Sequence, residues 1–351
     1  MVRVKLEDVC ERGTSNLKMS DVTDLSGNYP IYGAAGYIGN VDFYHQINPY
    51  VAIVKDGAGI GRAMLCPAQS SIIGTMQYLL PKKNILPRYL YYVVKYMHLE
   101  KYFTGATIPH IYFKDYKNET FNLEALERQK EIVTVLEKCE KVIEYRKREL
   151  NELDSLIKAR FVEMFGDPIY NANNLPMMCL NDLGVWNSGG TPSRTNPAYF
   201  TGEIDWYSAG ELNTLYLEGS IEKITEEAIQ ESAAKLFKAG SMLVGMYDTA
   251  AFKMGILKKA SASNQACACI EPNETVNIVW LYYSLQLMKE HFLSQRRGVR
   301  QKNLNLGMIK GFEIPIADRG KQDEFVCFAE QVDKSKVAVQ KALDETQILF
   351  D

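Results

Sequence analysis

The sequence predicts an α+β fold in which two similar domains, each a mixed sheet with helices, are separated by two long helices that pack on each other. Two observations carry this prediction. The chain repeats part of itself in its second half, and each copy of the repeat ends in a long amphipathic stretch. A chain of 351 residues is long enough for about two domains, which agrees with a duplication.

The repeat is clearest where a polar loop leads through a short apolar strand into a long helix. Residues 105–133 read GATIPHIYFKDYKNETFNLEALERQKEIV, and residues 298–326 read GVRQKNLNLGMIKGFEIPIADRGKQDEFV. Aligning these two segments places Gln129 on Gln322. Farther back, after a short slip, both copies contain LYY at the start of a helical stretch. The period is too long for a solenoid repeat, so the sequence predicts two copies of a domain followed by a helix.

The long amphipathic stretches show the heptad spacing of a coiled coil. Between Glu124 and Phe165 the chain contains neither glycine nor proline, and apolar residues recur at alternating steps of four and three. Arg146 and Arg160 interrupt this stripe, and Met164 ends it. The alternative is that each helix lies on its own domain as an amphipathic surface helix. The predicted coiled-coil interface residues are Ile132, Leu136, Ile143, Leu150, Leu153, Ile157, Phe325, Val332, Val339 and Leu343.

The predicted domain boundaries follow from the repeat and from the helix ends. They are a first domain at 1–123, a first long helix at 124–165, a second domain at 166–316 and a second long helix at 317–351. A glycine and a proline follow the last apolar residue of the first helix, which is typical of a helix end. The second helix has no counterpart for the last turns of the first one, so we expect the coiled coil to be uneven at one end.

The composition is that of a globular protein. Apolar residues make up 46% of the chain and charged residues 24%, and no run of about 18 apolar residues occurs. The N-terminus lacks the apolar core of a signal peptide, so we expect a cytoplasmic location. The seven cysteines include no CxxC pair and the four histidines show no metal-ligand spacing, which predicts buried thiols and no metal site.

The charge distribution is uneven. A formal net charge of −3 argues mildly against a nucleic-acid-binding protein. However, the stretch 289–302 is strongly basic, whereas the stretch 218–231 is acidic. Because binding depends on the local patch, the net charge does not exclude a nucleic-acid partner.

A glycine-rich stretch, VAIVKDGAGIG at 51–61, follows the pattern of a strand and a loop that can cradle a nucleotide or S-adenosylmethionine. No acidic residue lies between Arg62 and Leu80 to bind ribose hydroxyls, so a tight turn between two strands is the preferred interpretation. The sequence offers no set of residues for nucleophilic catalysis and no Walker phosphate loop. We therefore expect no active site and no bound cofactor in this chain.

Polar and basic loops precede both long helices and open the second domain. Arginine, lysine and asparagine side chains can bind phosphates and base edges. A single basic residue is more often part of a solvated surface, but matching loops in two copies predict a two-part nucleic-acid site. The candidate DNA-binding residues are Arg62, Thr107, His110, Lys114, Thr191, Ser193, Arg194, Arg296, Arg297, Arg300, Gln301, Lys302 and Asn303.

Four stretches carry a resemblance to a known family. They are YPIYGAAGYIG at 29–39, ARFVEMFGDP at 159–168, SGGTPSR with NPAYF and IDW within 188–206, and the strand that leads into each long helix (FNLEALERQKEIV and FEIPIADRGKQDEFV). In this order the chain resembles, over its whole length, the specificity subunit of type I restriction-modification systems.

The resemblance implies two target recognition domains that each bind half of a split double-stranded DNA sequence. It also implies that the two long helices form an antiparallel coiled coil, which sets the distance between the half-sites. It implies that the coiled coil docks two methyltransferase subunits, which bind S-adenosylmethionine and methylate adenine. Restriction and translocase subunits would join them for DNA cleavage in defence. The chain itself is expected to be non-catalytic.

Two other classes of protein remain open from the sequence. A fused restriction enzyme or DNA methyltransferase would carry its own active site, and methyl transfer by the chain alone would identify it. A protein-binding scaffold would show no DNA binding even with methyltransferase subunits present. The bases in each half-site depend on loop geometry and DNA shape, which the sequence does not specify.

Overall fold

The computed structural model describes residues 2–23, 26–105, 109–295 and 303–350. The chain divides into two compact units. The first unit comprises Met1–Tyr145 with Ala342–Asp351, and the second comprises Arg146–Lys341. Both long helices therefore contribute to both units.

The first unit contains nine strands, three complete helices and parts of both long helices among its described residues. The strands are β1 (Val2–Lys5), β2 (Cys10–Thr14), β3 (Tyr29–Gly33), β4 (Gly36–Val41), β5 (Tyr50–Val54), β6 (Ala63–Cys66), β7 (Ser71–Ile72), β8 (Met76–Pro81) and β9 (Thr120–Leu123). The helices are α1 (Leu6–Val9), α2 (Pro87–Tyr96), α3 (Phe113–Tyr116) and the first part of α4 (Leu126–Phe165). Short 3-10 turns occur at Met19–Asp21 and Leu99–Tyr102.

Three sheets form the first unit. One has the order β2-β8-β5-β6, a second has the order β4-β3-β7, and β1 pairs with β9. Strand β5 is buried at every position, because alternate side chains point into two different clusters. Val51 and Ile53 pack with Leu90 and Val94 of α2, whereas Tyr50 belongs to the cluster on the opposite face. This explains why the sequence there is a continuous apolar run.

The second unit continues from α4. Its strands are β10 (Met177–Cys179), β11 (Gly184–Ser188), β12 (Ile204–Tyr207), β13 (Tyr216–Leu217), β14 (Glu222–Ile224), β15 (Leu236–Phe237), β16 (Met242–Gly245), β17 (Met254–Leu257), β18 (Ser261–Ser263), β19 (Cys267–Pro272) and β20 (Glu313–Pro315). Its helices are α5 (Glu226–Glu231), α6 (Ile278–Ser294), α7 (Leu306–Lys310) and most of α8 (Arg319–Phe350). Short 3-10 turns occur at Leu180–Leu183, Pro197–Phe200, Ala209–Glu211 and Asp248–Ala250.

The sheets of the second unit repeat those of the first. The order β11-β19-β16-β17-β13 matches β2-β8-β5-β6 with one added strand, and β14-β12-β18-β15 matches β4-β3-β7 in the same way. Strand β10 pairs with β20 as β1 pairs with β9. The parallel pairing of β3 with β7 also recurs between β12 and β18. This agreement confirms the predicted α+β fold class of two similar domains and two long helices.

The helix ends have local causes. Pro87 occupies the first turn of α2, where its missing N–H costs no hydrogen bond. Asn277 caps α6, because its side-chain oxygen accepts a hydrogen bond from the Val279 N–H at 3.0 Å. Helix α4 ends at Gly166, which adopts a φ of +79° and donates its N–H to the Val162 carbonyl at 2.8 Å.

Within the second unit, α4 and α8 run antiparallel. The Phe161 and Phe325 ring centroids lie 5.2 Å apart. The Lys336 ammonium lies 2.6 Å from the Asp154 carboxylate. Residue numbers thus fall along α4 as they rise along α8, which is the predicted antiparallel pairing.

The buried positions depart from the predicted heptad at the end of α4. The heptad stripe assigned Arg160 and Met164 to this end, but the fully buried residues are Phe161 and Phe165. Both rings pack on Trp280 of α6, so this part of α4 faces a globular core as well as the partner helix. A helix packed on a globular core buries a wider stripe, with apolar residues at i, i+3, i+4, i+7 and i+8, than the two positions per heptad of a coiled-coil seam. That difference explains the shifted positions.

The other predicted interface residues vary in burial. Ile143, Ile157, Phe325, Val332, Val339 and Leu343 are buried, and Ile132, Leu136, Leu150 and Leu153 are partly buried. Ile132 packs against the core of the first unit, and Phe325 belongs to the core of the second. The apolar stripe therefore serves the globular cores in addition to the helix pair.

No helix among the described residues combines the length and the apolar character needed to span a bilayer. The same residues contain no cluster of histidine, cysteine, aspartate or glutamate that could hold a metal ion. Among the cysteines of the sheets, Cys10, Cys66, Cys267 and Cys269 are buried, whereas Cys179 of β10 is partly buried. Burial raises the pKa of the Cys10 thiol to about 12.

Candidate nucleic-acid interface

A glycine-rich loop joins β5 to β6 in the first unit. These strands pair antiparallel, and the loop between them turns through Gly57, Gly59 and Gly61, with φ values of +86°, +88° and +80°. Only glycine adopts such a run of positive φ angles without strain. The loop leads into a strand and not into a helix, so it lacks the helix N-terminus that holds phosphates in nucleotide-binding loops. The interpretation as a tight turn is confirmed.

The polar loop before the first long helix docks on this turn. The Gly57 N–H donates to the Pro109 carbonyl at 3.0 Å, and the Ile111 N–H donates to the Lys55 carbonyl at 2.9 Å. The His110 Nδ1 lies 2.7 Å from Asp56 Oδ1. An aspartate is an acceptor, so the imidazole donates its Nδ1 proton and leaves Nε2 for another partner. Backbone and side chain together fix His110 at the β5–β6 loop.

Asp56 is the acidic group of this loop. Partial burial would raise its pKa, but hydrogen bonds from Lys55 and His110 outweigh that effect and hold the pKa of the carboxyl below its usual value. The Lys55 Nζ lies 2.8 Å from the carboxylate. Asp56 therefore remains charged at neutral pH and neutralises part of the positive charge around it.

The remaining candidates of the first unit flank the same loop. The Lys114 ammonium lies 5.4 Å from the centre of the Tyr112 ring, and the Tyr112 and His110 rings stack at 6.4 Å. Exposed Arg62 ends the β5–β6 loop and donates Nη1 to the Ala34 carbonyl at 3.3 Å, in the turn after β3. The loops after β3 and β5 and the loop ending at His110 thus present basic and aromatic groups on neighbouring segments.

The second unit has an equivalent loop between β16 and β17. The Gly61 N–H donates to the Val54 carbonyl at 2.9 Å, and in the second unit the Phe252 N–H donates to the Gly245 carbonyl at 2.9 Å. Lys253 then occupies the position of Arg62. Its Nζ donates to the Gly210 carbonyl at 3.4 Å, in the turn after β12, as Arg62 does in the turn after β3.

Lys253 was not among the residues predicted from the sequence. Each unit therefore places a basic side chain at the end of this hairpin loop, beside the turn that follows the equivalent strand. The slip that aligns the two LYY segments also aligns Arg62 with Lys253. That alignment is the signal that could have revealed the lysine.

The loop that opens the second unit is held against the sheet by two glycines. The Gly189 N–H donates to the Cys267 carbonyl at 3.0 Å, and the Gly190 N–H donates to the Ser263 carbonyl at 2.9 Å. A Cβ at Gly190 would lie 2.0 Å from the Ala233 carbonyl oxygen, so no larger residue fits. The loop then exposes polar side chains, of which Thr191 bonds to Gln265 and Ser193 lies 2.7 Å from Thr195.

Arg194 differs from the other basic candidates because its guanidinium is already bound. It donates to both Glu222 carboxylate oxygens, at 2.5 and 2.7 Å. It also lies over the Phe200 ring at 4.3 Å and the Trp206 ring at 5.2 Å. The hydrogen bond from Arg194 lowers the pKa of Glu222. A bidentate pair of this kind links the loop to β14, which is a structural use of the arginine.

Several predicted residues lie outside the described part of the chain: Thr107, Arg296, Arg297, Arg300, Gln301 and Lys302. Asn303 is described and is partly buried. One residue further, the Leu304 N–H donates to the Met246 carbonyl at 2.9 Å, as Ile111 does to Lys55 in the first unit. The end of each polar loop therefore returns to the hairpin loop of its own unit.

Taken together, the fold and these loops define a protein built from two copies of one binding domain, each followed by a long helix. In both copies the loops at equivalent strand ends offer basic and hydrogen-bonding groups.

Comparison with known proteins agrees with this class. The model of the type I restriction modification DNA specificity domain matches residues 1–155 and 174–346, and the chain belongs to this family. It is 22% identical over 223 residues to the specificity subunit of the type I restriction enzyme EcoR124I/EcoR124II of Escherichia coli, which covers 61% of this chain and 54% of that protein. It is 26% identical over 150 residues to the MjaIX specificity subunit of Methanocaldococcus jannaschii, and this match covers 41% of this chain and 34% of that protein. The matches thus span about half and about a third of these relatives.

Two solved structures share the fold over nearly the whole chain. One is the S subunit of a type I restriction-modification system from M. genitalium, with a TM-score of 0.62, 13% identity and coverage of 100% of this chain and 94% of that one. The other comes from work on complex assembly and conformational transition of the type I R-M system, with a TM-score of 0.60, 14% identity and coverage of 99% and 94%. At such identities the likeness shows a common fold.

Proposed function

We propose that this protein is the DNA-specificity subunit of a type I restriction-modification complex and that it binds a bipartite DNA target through its two recognition domains. The observation that carries the proposal is the duplication. Two units with the same sheet order present equivalent hairpin loops, each ending in a basic residue, Arg62 or Lys253. Membership of the specificity-domain family supports DNA as the partner.

A bipartite target requires two DNA-binding surfaces at a fixed separation. In this proposal the long helices supply the separation. Helix α4 runs without interruption through Leu126–Phe165, and a helix of this length spans roughly 60 Å. Two equivalent domains, each followed by a long helix, suit a target with two half-sites on a duplex.

The DNA contacts are assigned to the loops at the ends of equivalent strands. In the first recognition domain these are Arg62, His110 and Lys114. In the second they are Thr191, Ser193 and Lys253. The predicted polar-loop residues are added to each domain: Thr107 to the first, and Arg296, Arg297, Arg300, Gln301, Lys302 and Asn303 to the second. Arginine and lysine would neutralise phosphates, and His110 Nε2 is suited to a base edge or a phosphate. Arg194 is assigned a supporting role, because Glu222 and two aromatic rings already hold its guanidinium.

The partners complete the proposal. Two methyltransferase subunits would dock on the long helices, bind S-adenosylmethionine and methylate adenine. Restriction and translocase subunits would join for cleavage, in the cytoplasm where the DNA lies. The chain itself would bind no cofactor and carry no active site. The boundaries 1–123, 124–165, 166–316 and 317–351 are kept as the proposed functional segments.

The experiment is methylation mapping of genomic DNA from cells that carry the intact system, with and without the gene for this chain. We expect methylated adenines within one motif that has two defined half-sites and a fixed gap, and we expect them to disappear when the chain is removed. Methylation that persists without the chain, or a motif with no gap, would contradict the proposal. Methyl transfer by the purified chain alone would identify a fused methyltransferase instead.

A further inference from the structure

Gln129 joins the start of α4 to the loop before α2. It is fully buried, and its side chain makes three hydrogen bonds within the first unit. Its Oε1 accepts from the Leu86 N–H at 2.9 Å, while its Nε2 donates to the Asn84 carbonyl at 3.0 Å and to the Glu124 carbonyl at 2.9 Å. One amide group therefore links the segment before α2 with the segment before α4.

Gln322 makes the same three bonds in the second unit. It is also fully buried. Its Oε1 accepts from the Asn277 N–H at 2.7 Å, and its Nε2 donates to the Thr275 carbonyl at 3.2 Å and to the Ala317 carbonyl at 2.8 Å. The second glutamine thus joins the loop before α6 to the start of α8 in the same way.

A tyrosine makes a second link between the same elements. The last tyrosine of the first LYY segment, Tyr92 on α2, donates its hydroxyl to Glu140 Oε2 on α4 at 2.8 Å. The last tyrosine of the second LYY segment, Tyr283 on α6, donates to Asp333 Oδ2 on α8 at 3.1 Å. Burial and the neighbouring carboxylate raise the pKa of both tyrosines, so both hydroxyls stay protonated and remain donors.

The two links are well separated along each long helix. From Gln129 to Glu140 the helix advances roughly three turns, or about 16 Å, and the same separation holds from Gln322 to Asp333. A single link would allow the helix to pivot about one point. Two links at this separation fix its direction relative to the adjoining sheet.

The tyrosine–carboxylate links of the two units differ in the additional contacts that hold them. In the first unit Arg88 also donates to Glu140 Oε2 at 2.9 Å, and its guanidinium lies over the Tyr92 ring at 5.3 Å. Val279 takes the place of Arg88 in the second unit, and Asp333 instead interacts with Lys336 of its own helix at 3.3 Å. The second tyrosine–carboxylate link therefore depends more on its single hydroxyl.

Buried polar groups whose hydrogen bonds are all satisfied specify one packing arrangement of a core more than they raise its free energy of unfolding. An apolar side chain could fill the same space, but it would not specify one angle between sheet and helix. The same two links occur in both units on different surrounding side chains. A shared geometric requirement explains this better than local packing does.

We propose that Gln129 with Tyr92, and Gln322 with Tyr283, are positioning residues that fix the angle between each recognition domain and its long helix and thereby determine which half-site gap the protein accepts. This inference rests on the proposed function. A small rotation at either junction would displace the DNA-binding loops, because the loops lie at the far end of a rigid sheet. Loosening a junction should therefore relax the gap requirement before it affects the binding of a single half-site.

The test uses the complete complex of this chain with its methyltransferase subunits and duplexes whose half-sites come from the methylation map. The duplexes carry the natural gap, a gap one base pair shorter and a gap one base pair longer. The variants are Tyr283→Phe and Tyr92→Phe. The matched control is Tyr282→Phe, since the Tyr282 hydroxyl interacts with Gln286 on its own helix.

We expect the wild-type complex to prefer the natural gap and Tyr283→Phe to reduce that preference by about tenfold, since a hydrogen bond to a carboxylate is worth about this factor. Tyr92→Phe should have a smaller effect, because Arg88 still holds Glu140. Tyr282→Phe should leave the preference unchanged. Binding to a duplex with one half-site should not change in any variant. A retained preference for the natural gap in Tyr283→Phe would overturn the inference.

A second variant separates positioning from stability. Gln322→Glu keeps the shape of the side chain but removes the two N–H donors that bind the Thr275 and Ala317 carbonyls. A complex that still assembles but accepts all three gaps supports the inference. A lowered unfolding temperature with unchanged gap preference in both Gln322→Glu and Tyr283→Phe would show a merely structural role. If the wild-type chain directs no two-part methylation at all, the proposed function fails and not only the positioning role.

Discussion

The first and second units share the order of their equivalent strands. Some equivalent positions carry the same side chain in both units, and others carry different ones. Gln129 and Gln322 make the same three hydrogen bonds, so the junction between sheet and long helix is the same in both. In the hairpin loops, by contrast, Gly61 of the first unit corresponds to Phe252 of the second. The glutamines that we propose to orient the domains are alike in the two units, while the hairpin loops that we propose to contact DNA differ. Two domains of this kind suit a target whose half-sites are unlike each other.

The largest difference in stability is expected at the start of the long helices. Phe325 is fully buried against the rings of Phe161, Phe165 and Tyr283, with centroids 5.2, 5.9 and 5.5 Å away. Phe325→Ala should lower the free energy of unfolding of the second unit by about 3–5 kcal/mol. Ile132 holds the equivalent position in the first unit but is only partly buried, so Ile132→Ala should cost roughly 1–2 kcal/mol.

Urea unfolding followed by tryptophan fluorescence measures the first of these effects, because the chain has three tryptophans and all lie within the second unit. Circular dichroism follows both units. Equal losses in the two variants would mean that the equivalent positions carry equal burial, contrary to the structure.

How far the sequence predicted the fold is visible along the long helices. The repeat and the heptad spacing were sufficient to predict two domains and two long helices that pack on each other, because both signals lie in the order of residues. The antiparallel direction of the pair was implied by the family resemblance. Phe161 and Phe165 escaped the prediction because the heptad rule assumes one partner helix. Their true neighbour is Trp280, more than a hundred positions away in the chain, and no local pattern indicates that contact.

The candidate site was predictable only as a set of loops. Residue types identified the loops, and alignment of the copies could have matched Arg62 with Lys253, which the sequence prediction missed. The sequence did not indicate that Glu222 would bind Arg194 or that Asp56 would bind His110, because each pair joins segments that only the folded sheet brings together. The sign of a side chain's charge can be read from the sequence. Whether that charge is free to contact DNA depends on the ion pairs that the fold creates.

The next prediction tests the backbone difference between the hairpin loops. Gly61 has a φ of +80°, and a Cβ there would lie 2.4 Å from the Glu100 backbone nitrogen. Gly61→Ala should lower the free energy of unfolding by about 2–3 kcal/mol, from backbone strain and displacement of the neighbouring chain. Phe252 tolerates a φ of +58° because its buried ring packs on Phe292, at 5.4 Å, and on Phe312.

Thermal unfolding of Gly61→Ala and of Phe252→Gly measures both sides of this comparison. Phe252→Gly gains a relaxed backbone but loses a fully buried ring, so it should also be destabilised. A neutral Gly61→Ala would show that the first loop can move away from Glu100, and the two loops would then not be equivalent in rigidity.

A smaller effect is expected for DNA affinity. Arg62→Ala and Lys253→Ala should each weaken binding of the complex to its target by roughly fivefold to tenfold, and each should lower the salt slope by about 0.9 if one phosphate contact is lost. Arg194→Ala should change affinity less, because its guanidinium is bound to Glu222 in the free protein. Titrations at several salt concentrations measure both quantities. A larger loss for Arg194→Ala than for Arg62→Ala would reverse the assignment of the two arginines.

The smallest effect concerns acid sensitivity, which should distinguish the two hairpin loops. Asp56 of the first unit binds Lys55 and His110, and these bonds hold its pKa below the ordinary value of 3.8. A carboxyl whose pKa is lowered by folding stabilises the folded state above its unfolded pKa and loses that contribution as the pH falls through the folded value. Tyr247 takes the equivalent place in the second unit.

At neutral pH, Asp56→Asn should therefore lower the free energy of unfolding by about 1 kcal/mol or less, since the pair is partly exposed and the amide oxygen still accepts one bond. The difference between wild type and variant should shrink as the pH is lowered below about 4, because wild-type Asp56 then becomes neutral as well. Unfolding temperatures of both proteins across this range measure the effect. Tyr247→Phe, the matched change in the second unit, should show no pH-dependent difference from wild type in this range. A difference for Asp56→Asn that stays constant down to about pH 2 would mean that the carboxylate acts by shape and not by charge.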